Sequence, residues 1–381
     1  MSPVYFTFFG AIGALVPYLS AYFHSIGLSG TEIGVLLSLQ PVLVVLSQPV
    51  FGPMTDRSGH RGRMLARILV VAAVSGLLMA LGRSFWTLIP LVALWSFFAG
   101  LIVPISDSIA LGEMERTGVA YPRLRLWGSL GYLIITIGMG RLYSWLDYRW
   151  GFVAYAVINL AAIGFAWRLP PDGARSTRPV WPELRRVLGN PYLLLFLLIS
   201  GTLQLTVAAN STFLSMHLQS LGASAGMTGL AWGTAALFEI PTWLVLHRVS
   251  ARVGPLPLLI GASGVYAARW WLYAATSNPL IIVAGSSLQA ISFAIFMPTA
   301  VMMVGELVPP ELRTTGQALL GLVNGGLATV LGTLGGGRII DAIGTVGLYH
   351  VLTWVSLAAA VGFVLLLPMR PKERGGERAV G

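Results

Sequence analysis

The stretch Ser25 to Val35 reads SIGLSGTEIGV, and 195 residues later Ser220 to Leu230 reads SLGASAGMTGL. Each copy is a turn rich in glycine and serine that separates two apolar segments. A recurrence at a fixed offset is the mark of an internal repeat. We therefore expect two similar halves, residues 1–168 and 190–381, joined by a linker at 169–189 that is rich in proline and arginine.

Further matches strengthen the repeat. The same offset places Asp56-Arg57-Ser58-Gly59 opposite Ala251-Arg252-Val253-Gly254, and Gly140-Arg141 has a near-equivalent in Gly337-Arg338. Short glycine turns also recur by chance, but agreement over several loops favours a duplicated unit.

Between the turns the chain is apolar. Of its 381 residues 56% are hydrophobic and 10% are charged, against about 25% charged residues in an average soluble domain. A helix needs about 20 apolar residues to span a bilayer, because lipid offers no partner for backbone N–H and C=O groups. Six such runs occur in each half, so we expect an all-α membrane protein with twelve transmembrane helices. The runs lie near 4–24, 31–51, 64–82, 86–110, 122–142, 150–168, 191–217, 227–247, 256–276, 279–304, 313–336 and 345–367.

The basic residues predict the orientation, because they tend to stay on the cytoplasmic side of short loops. The even-numbered loops and the short basic C-terminal tail hold 18 of the 24 Lys and Arg residues, and the other loops hold Arg83, Arg141, Arg149 and Arg338. Both termini should therefore face the cytoplasm. The first run has no basic residue before it and no cleavage site, so we expect it to remain as a helix of a bacterial-type inner-membrane protein.

Several classes of protein are excluded by composition. The chain has no cysteine, and its one lysine, Lys372, lies in the tail, so a phosphate-binding loop of the GxxxxGK[ST] type is impossible. The net charge of +10 is scattered among loops, which makes nucleic acid a poor partner. Gly261 to Gly264, GASG, matches the string of an intramembrane protease, but no mid-membrane histidine is present to activate the serine. We expect no enzyme, no cofactor and no metal.

Four charged residues fall inside the apolar runs, where burying an ion costs on the order of 2.5 to 3.5 kcal/mol. Asp107 and Arg125 lie at equal distances from the turn between their helices, and so do Glu239 and Arg269. Gln289 shares the depth of the second pair. Each pair is either a static bridge between helices or part of a site for a polar solute, and we favour the site because an ion inside the membrane is costly to keep without a function.

Four stretches of sequence carry a resemblance to a known family. Gly52 to Arg63, GPMTDRSGHRGR, resembles the signature loop of the major facilitator superfamily. Gln48 to Gly52, QPVFG, Gly13 to Tyr18, GALVPY, and above all Pro122 to Tyr132, PRLRLWGSLGY, resemble the lactose permease group of oligosaccharide:proton symporters. Relatives in this branch carry nucleosides or aromatic acids such as phenylpropionate. The resemblance implies the major facilitator fold, in which two six-helix halves are related by pseudo-two-fold symmetry around a central site.

The resemblance also implies roles for individual residues. Asp107 and Arg125 match the carboxylate and guanidinium that grip sugar hydroxyls, Glu239 matches a second sugar-binding carboxylate, and Tyr132 takes the place of the tryptophan on which the sugar ring stacks. The family's tenth helix carries a histidine and, three residues later, its coupling glutamate, where this chain has Gln289 and Ser292. The proton must then be carried by Glu239, with Asp107 as the second candidate, or the protein is an uncoupled facilitator.

Weaker candidates are polar or aromatic residues on helix faces that can line a cavity, each equally suited to packing. They are Tyr18, Tyr22, Asn210, Trp232, Thr242 and Asn324. At the signature loop we expect Gly52, Asp56, Arg57 and Gly59 to form a cytoplasmic gate that does not contact solute, because charges there can reach a helix end of the other half.

The resemblance and the intramembrane charges together predict a secondary active transporter that takes up a sugar or a similar small polar solute with a proton by alternating access. Nucleoside or aromatic-acid transport, uncoupled facilitation and drug export remain open alternatives, although two acids balanced by two bases favour a neutral or anionic solute over a lipophilic cation. The expected partners are the solute, the proton and the lipid bilayer, and we expect a monomer.

Overall fold

The computed structural model describes residues 1–57, 60–119, 121–169 and 187–369, with the backbone alone at 48–57, 243–252 and positions 115, 122 and 240. These ranges are helical and contain no strand, as expected of apolar segments that must satisfy their own backbone groups. Of the expected gate, Gly52, Asp56 and Arg57 fall where only the backbone is described, and Gly59 lies outside the described residues. Residues 170–186, most of the expected linker, also lie outside them.

The first half begins with a broken helix, in which the short 3₁₀ turn Val16–Tyr18 separates two segments. A capping box starts the fifth segment, since the Ser84 side chain accepts a hydrogen bond from the Thr87 N–H and Thr87 bonds back to Ser84. The segments are α1 (Ser2–Leu15), α2 (Leu19–Ser25), α3 (Gly30–Arg57), α4 (Arg61–Met79), α5 (Phe85–Thr117), α6 (Tyr121–Tyr143) and α7 (Trp150–Trp167).

The second half contains a longer series of breaks. The π-helical turn Leu322–Leu327 interrupts the eleventh predicted span, and Gly344, at φ 77°, breaks the last helix, because only glycine adopts this conformation without strain. The segments are α8 (Pro191–Ser220), α9 (Ala225–Val253), α10 (Pro255–Ala275), α11 (Pro279–Gly285), α12 (Leu288–Leu307), α13 (Arg313–Gly321) and α14 (Ala328–Leu366).

Among the described residues, 8 helical stretches are long and apolar enough to cross a membrane, and one of them runs from Pro310 to Leu366 through the break at Gly344. Helices α6, α9 and α10 are not among the 8. Each of these three carries an intramembrane charge, Arg125, Glu239 or Arg269 respectively.

The two halves meet where α3 crosses α14 and where α6 crosses α9. At both crossings the backbones touch at a glycine: a Cβ on Gly34 would lie 2.7 Å from the Thr333 carbonyl oxygen, and one on Gly229 would lie 2.8 Å from that of Thr136. No larger residue fits at either position without separating the helices.

Hydrogen bonds close the same end of the molecule. The Oγ atoms of Ser20 and Ser215 are 2.8 Å apart across the interface. The Asp341 carboxylate accepts from the first two N–H groups of α3, at 2.7 Å from Gly30 and 2.8 Å from Thr31. These contacts lie at the end of the bundle that carries the turn at 25–30, away from the end at which α1 begins.

Candidate functional site

The acid of the first half is bound by a tyrosine. Tyr5 on α1 is fully buried, and its hydroxyl donates a hydrogen bond of 2.6 Å to Oδ1 of Asp107 on α5. Asp107 itself is half-buried. A phenol is a neutral donor, so it satisfies one oxygen of the carboxylate and leaves the net charge in place.

The base of the first half lies on an aromatic ring. The Arg125 guanidinium carbon on α6 is 4.0 Å from the centroid of Phe9 and 5.7 Å from that of Tyr5, both on α1. Among the described residues, no ion pair joins Arg125 to Asp107. Of the two alternatives for this pair, a static bridge is therefore not observed, because the ring of Phe9 binds the guanidinium and the hydroxyl of Tyr5 binds the carboxylate.

The acid of the second half is held by an amide. Nε2 of Gln289 on α12 donates to Oε1 of Glu239 on α9 at 3.0 Å, which confirms that these two residues lie at one depth. Glu239 is half-buried. As in the first half, the donor is neutral, and no ion pair joins Glu239 to Arg269 in the described part of the chain.

Arg269 on α10 is 1% exposed and is also held by aromatic residues. Its Nε donates to the Tyr273 hydroxyl at 3.0 Å, and its guanidinium carbon lies 4.8 Å and 5.3 Å from the ring centroids of Trp270 and Tyr273. The Tyr273 hydroxyl and Ser286 Oγ are 2.8 Å apart, so the aromatic partner is itself fixed by a hydrogen bond.

The crossing of α6 and α9 brings elements of the two halves together. A Cβ on Gly233 of α9 would lie 2.6 Å from Ile137 on α6 and 3.5 Å from Leu133, the residue that follows Tyr132. Tyr132 and Glu239 therefore lie on the two helices that meet at this interface, within about two helical turns of the contact.

The side chains of several weaker candidates are already engaged in hydrogen bonds or packing. Tyr18 donates to the Thr136 carbonyl at 2.7 Å, and Tyr22 packs edge-on against Phe152 with centroids 4.9 Å apart. The side chain of Thr242 bonds back to its own helix at Phe238, 3.1 Å away.

The two candidate asparagines are also engaged. Asn210 accepts from the Tyr349 hydroxyl at 3.0 Å, and Asn324 accepts from Ser200 at 3.1 Å. Trp232 is half-buried and packs against the main apolar cluster. These contacts favour a packing role for the weaker candidates.

Sequence reasoning missed Tyr5, Phe9 and Tyr273. Tyr5 and Phe9 are four residues apart, and so are Arg269 and Tyr273, a spacing that places side chains on one helix face. The sequence could therefore have predicted the contact between Arg269 and Tyr273. No sequence pattern predicts that α1 contacts Asp107.

Comparison with known proteins identifies the family. The sequence model of the MFS_1-like family matches residues 1–351. The chain belongs to this family. It is 33% identical to a maltose permease of Geobacillus stearothermophilus over 97% of the chain and 94% of the relative. It is 24% identical to a probable 3-phenylpropionic acid transporter of Escherichia coli K12 over 96% and 95% of the two chains.

Solved structures share the fold. The nucleoside transporter NupG superposes with a TM-score of 0.87 over 97% of this chain and 98% of that one, at 15% sequence identity. The family model and the maltose permease confirm the resemblance to major facilitator transporters. The MFS_1-like chain is an integral membrane transporter of small solutes and not an enzyme.

Proposed function

We propose that this MFS_1-like chain crosses the membrane twelve times as two six-helix halves, 1–168 and 190–381. The 8 apolar stretches, with one divided at Gly344, and the three charge-bearing helices α6, α9 and α10 support that count. The offset of 195 relates Ser20 to Ser215, and these two residues bond to each other. A residue that touches its own repeat mate is expected next to a pseudo-two-fold axis.

The proposed orientation puts both termini in the cytoplasm of a bacterial cell, as the loop arginines favour. The crossings at Gly34 and Gly229 then close the protein toward the outside. Transport requires this end to open and the other end to close in turn. One chain supplies both halves of the cavity, so a monomer suffices.

The proposed activity is uptake of a sugar with a proton. The observation that carries it is that each half presents a carboxylate and a guanidinium that are not paired with each other. Charges held by neutral donors and aromatic faces keep donors and acceptors for the hydroxyl groups of a solute. The proposed solute site consists of Asp107, Arg125, Tyr132, Glu239 and Arg269.

The relative of highest identity named above, a maltose permease, favours a disaccharide as the solute. For the proton, Glu239 is the proposed carrier and Asp107 the second candidate. Glu239 is held by a neutral amide, which tolerates both protonation states better than a cation does.

Uptake into proteoliposomes tests the proposal. Purified protein is given radiolabelled maltose, uridine or 3-phenylpropionate, with and without a pH gradient that is alkaline inside. Maltose accumulating only under the gradient supports sugar symport. If maltose only equilibrates across the membrane, the protein is a facilitator. If uridine or 3-phenylpropionate alone accumulates, that solute and not a sugar is the substrate.

A further inference from the structure

We propose that Tyr5 and Phe9 of α1 are positioning residues that keep Asp107 and Arg125 from pairing, so that both charges stay free to bind solute. The inference rests on the proposed function, since it concerns the same site. It assigns a task to the first helix that the charged residues alone do not reveal.

Geometry on α1 carries the inference. Tyr5 and Phe9 lie four residues apart on one face, with rings 6.1 Å apart and nearly parallel. The hydroxyl of the first binds the acid at 2.6 Å, and the ring of the second lies 4.0 Å from the base. One helix face therefore contacts both charges and holds each by a different interaction.

Gly128 completes the seat of the guanidinium. A Cβ at this position would lie 2.8 Å from Cδ2 of Phe9 and 2.9 Å from Nη1 of Arg125. The absence of a side chain lets the guanidinium lie over the Phe9 ring without being pushed toward α5. Gly128 and Phe9, on either side of the Arg125 guanidinium, thus fix its position and orientation.

Without this seat the two charges would attract each other. Asp107 and Arg125 are opposite in sign, and their attraction is strong in a medium of low dielectric constant. A closed ion pair would satisfy the donors of one and the acceptors of the other, so a solute would have to break it before binding. A neutral hydroxyl and an aromatic face compensate each charge only in part and leave the polar edges open.

The second half is built in the same way. Glu239 is bound by the neutral amide of Gln289, and Arg269 is bound by the ring and hydroxyl of Tyr273. Two halves that separate their charges by the same kinds of contact, from different residues, indicate that separation is a feature of the site.

The first test measures transport kinetics. Phe9→Leu removes the ring and Tyr5→Phe removes the hydroxyl, and each should raise KM for the transported solute about tenfold, the equivalent of one hydrogen bond to a charged group, with Vmax nearly unchanged. Phe9→Tyr keeps the ring and should keep the wild-type KM. Tyr155→Phe, which removes a buried hydroxyl bonded to Trp95 at 3.0 Å in the same half, is the control and should not change KM.

The second test needs no solute. Phenylglyoxal labels arginine side chains whose nitrogen atoms are free, and peptide mass spectrometry reports the modification of Arg125. Labelling should be lost in Phe9→Leu, because the freed guanidinium pairs with Asp107, and should return when Asp107→Asn is added. Labelling equal to wild type in Phe9→Leu, or a loss that Asp107→Asn does not reverse, overturns the inference.

The two readouts separate the possible failures. If wild type takes up no sugar but the labelling pattern holds, the proposed substrate is wrong and the positioning role stands. If wild type accumulates sugar and Tyr5→Phe raises KM as much in the Asp107→Asn background as alone, Tyr5 does not act through Asp107 and the inference fails.

Discussion

At the scale of single residues, solute binding depends on which hydrogen-bond donors and acceptors of each charged group remain free. A guanidinium is planar, so it can lie on the ring of Phe9 and still direct two parallel N–H groups toward a solute. An ammonium offers a point charge with no such plane.

Arg125→Lys should therefore lower solute affinity by at least about tenfold, because Lys cannot replace the paired donors. Equilibrium binding to purified protein is the measurement. Arg67→Lys, an exposed position on α4, is the matched control and should bind as wild type does. Unchanged affinity in Arg125→Lys would argue against direct contact with the solute.

Glu239→Gln should abolish accumulation driven by a pH gradient and leave exchange of preloaded solute intact, since exchange needs no net proton movement. An amide at position 239 keeps a carbonyl oxygen as an acceptor for Gln289 but cannot release a proton. Uptake driven by the pH gradient measures accumulation, and counterflow in the same proteoliposomes measures exchange. Accumulation that survives in Glu239→Gln and disappears in Asp107→Asn would move the proton site to Asp107.

The four charged residues could be predicted because an ion within an apolar run is costly and therefore stands out. Their partners could not, because Tyr and Phe are ordinary residues in a membrane helix and carry no such signal. Tyr5 acquires its role only when α1 packs beside α5 and α6, a contact between residues 102 positions apart in the chain.

At the scale of helices, the repeat predicted similar turns in the two halves. It did not predict that α3 would contact α14 or that α6 would contact α9. Backbone contact at Gly34 and Gly229 depends on tertiary packing, which periodicity does not reveal. The break at Gly344 was foreseen only as a loop between two runs, whereas the structure carries helix on both sides of it.

Gly34→Val and Gly229→Val should each separate the halves at the closed end, because a Cβ at either position meets a backbone oxygen within 3 Å. The chain has no cysteine, so Ser215→Cys gives a single label site at the interface. Maleimide should label it faster in both valine variants. Gly335→Val on α14, where a Cβ meets nothing within 4 Å, should leave the rate unchanged.

At the scale of the whole molecule, the two helix crossings at the closed end, α3 with α14 and α6 with α9, are stabilised by different numbers of hydrogen bonds. On one, the Asp341 carboxylate accepts two backbone N–H groups at the start of α3. On the other, Ser144 Oγ accepts one, from Gly226 near the start of α9, at 3.2 Å. Gly140 and Gly337 correspond in the repeat, and the same offset of 197 residues relates Ser144 to Asp341. Equivalent positions of the two halves therefore carry a neutral hydroxyl in one half and a carboxylate in the other.

Asp341→Asn should open the closed end more readily than Ser144→Ala. An ionised acceptor makes hydrogen bonds roughly twice as strong as a neutral one and is also favoured at a helix N-terminus; Asn has only one acceptor oxygen for the two N–H groups. With Ser215→Cys as the reporter, maleimide labelling should accelerate strongly in Asp341→Asn and only slightly in Ser144→Ala. Equal acceleration would show that the crossings open as one unit and that the charge at Asp341 does not set the balance between the two states.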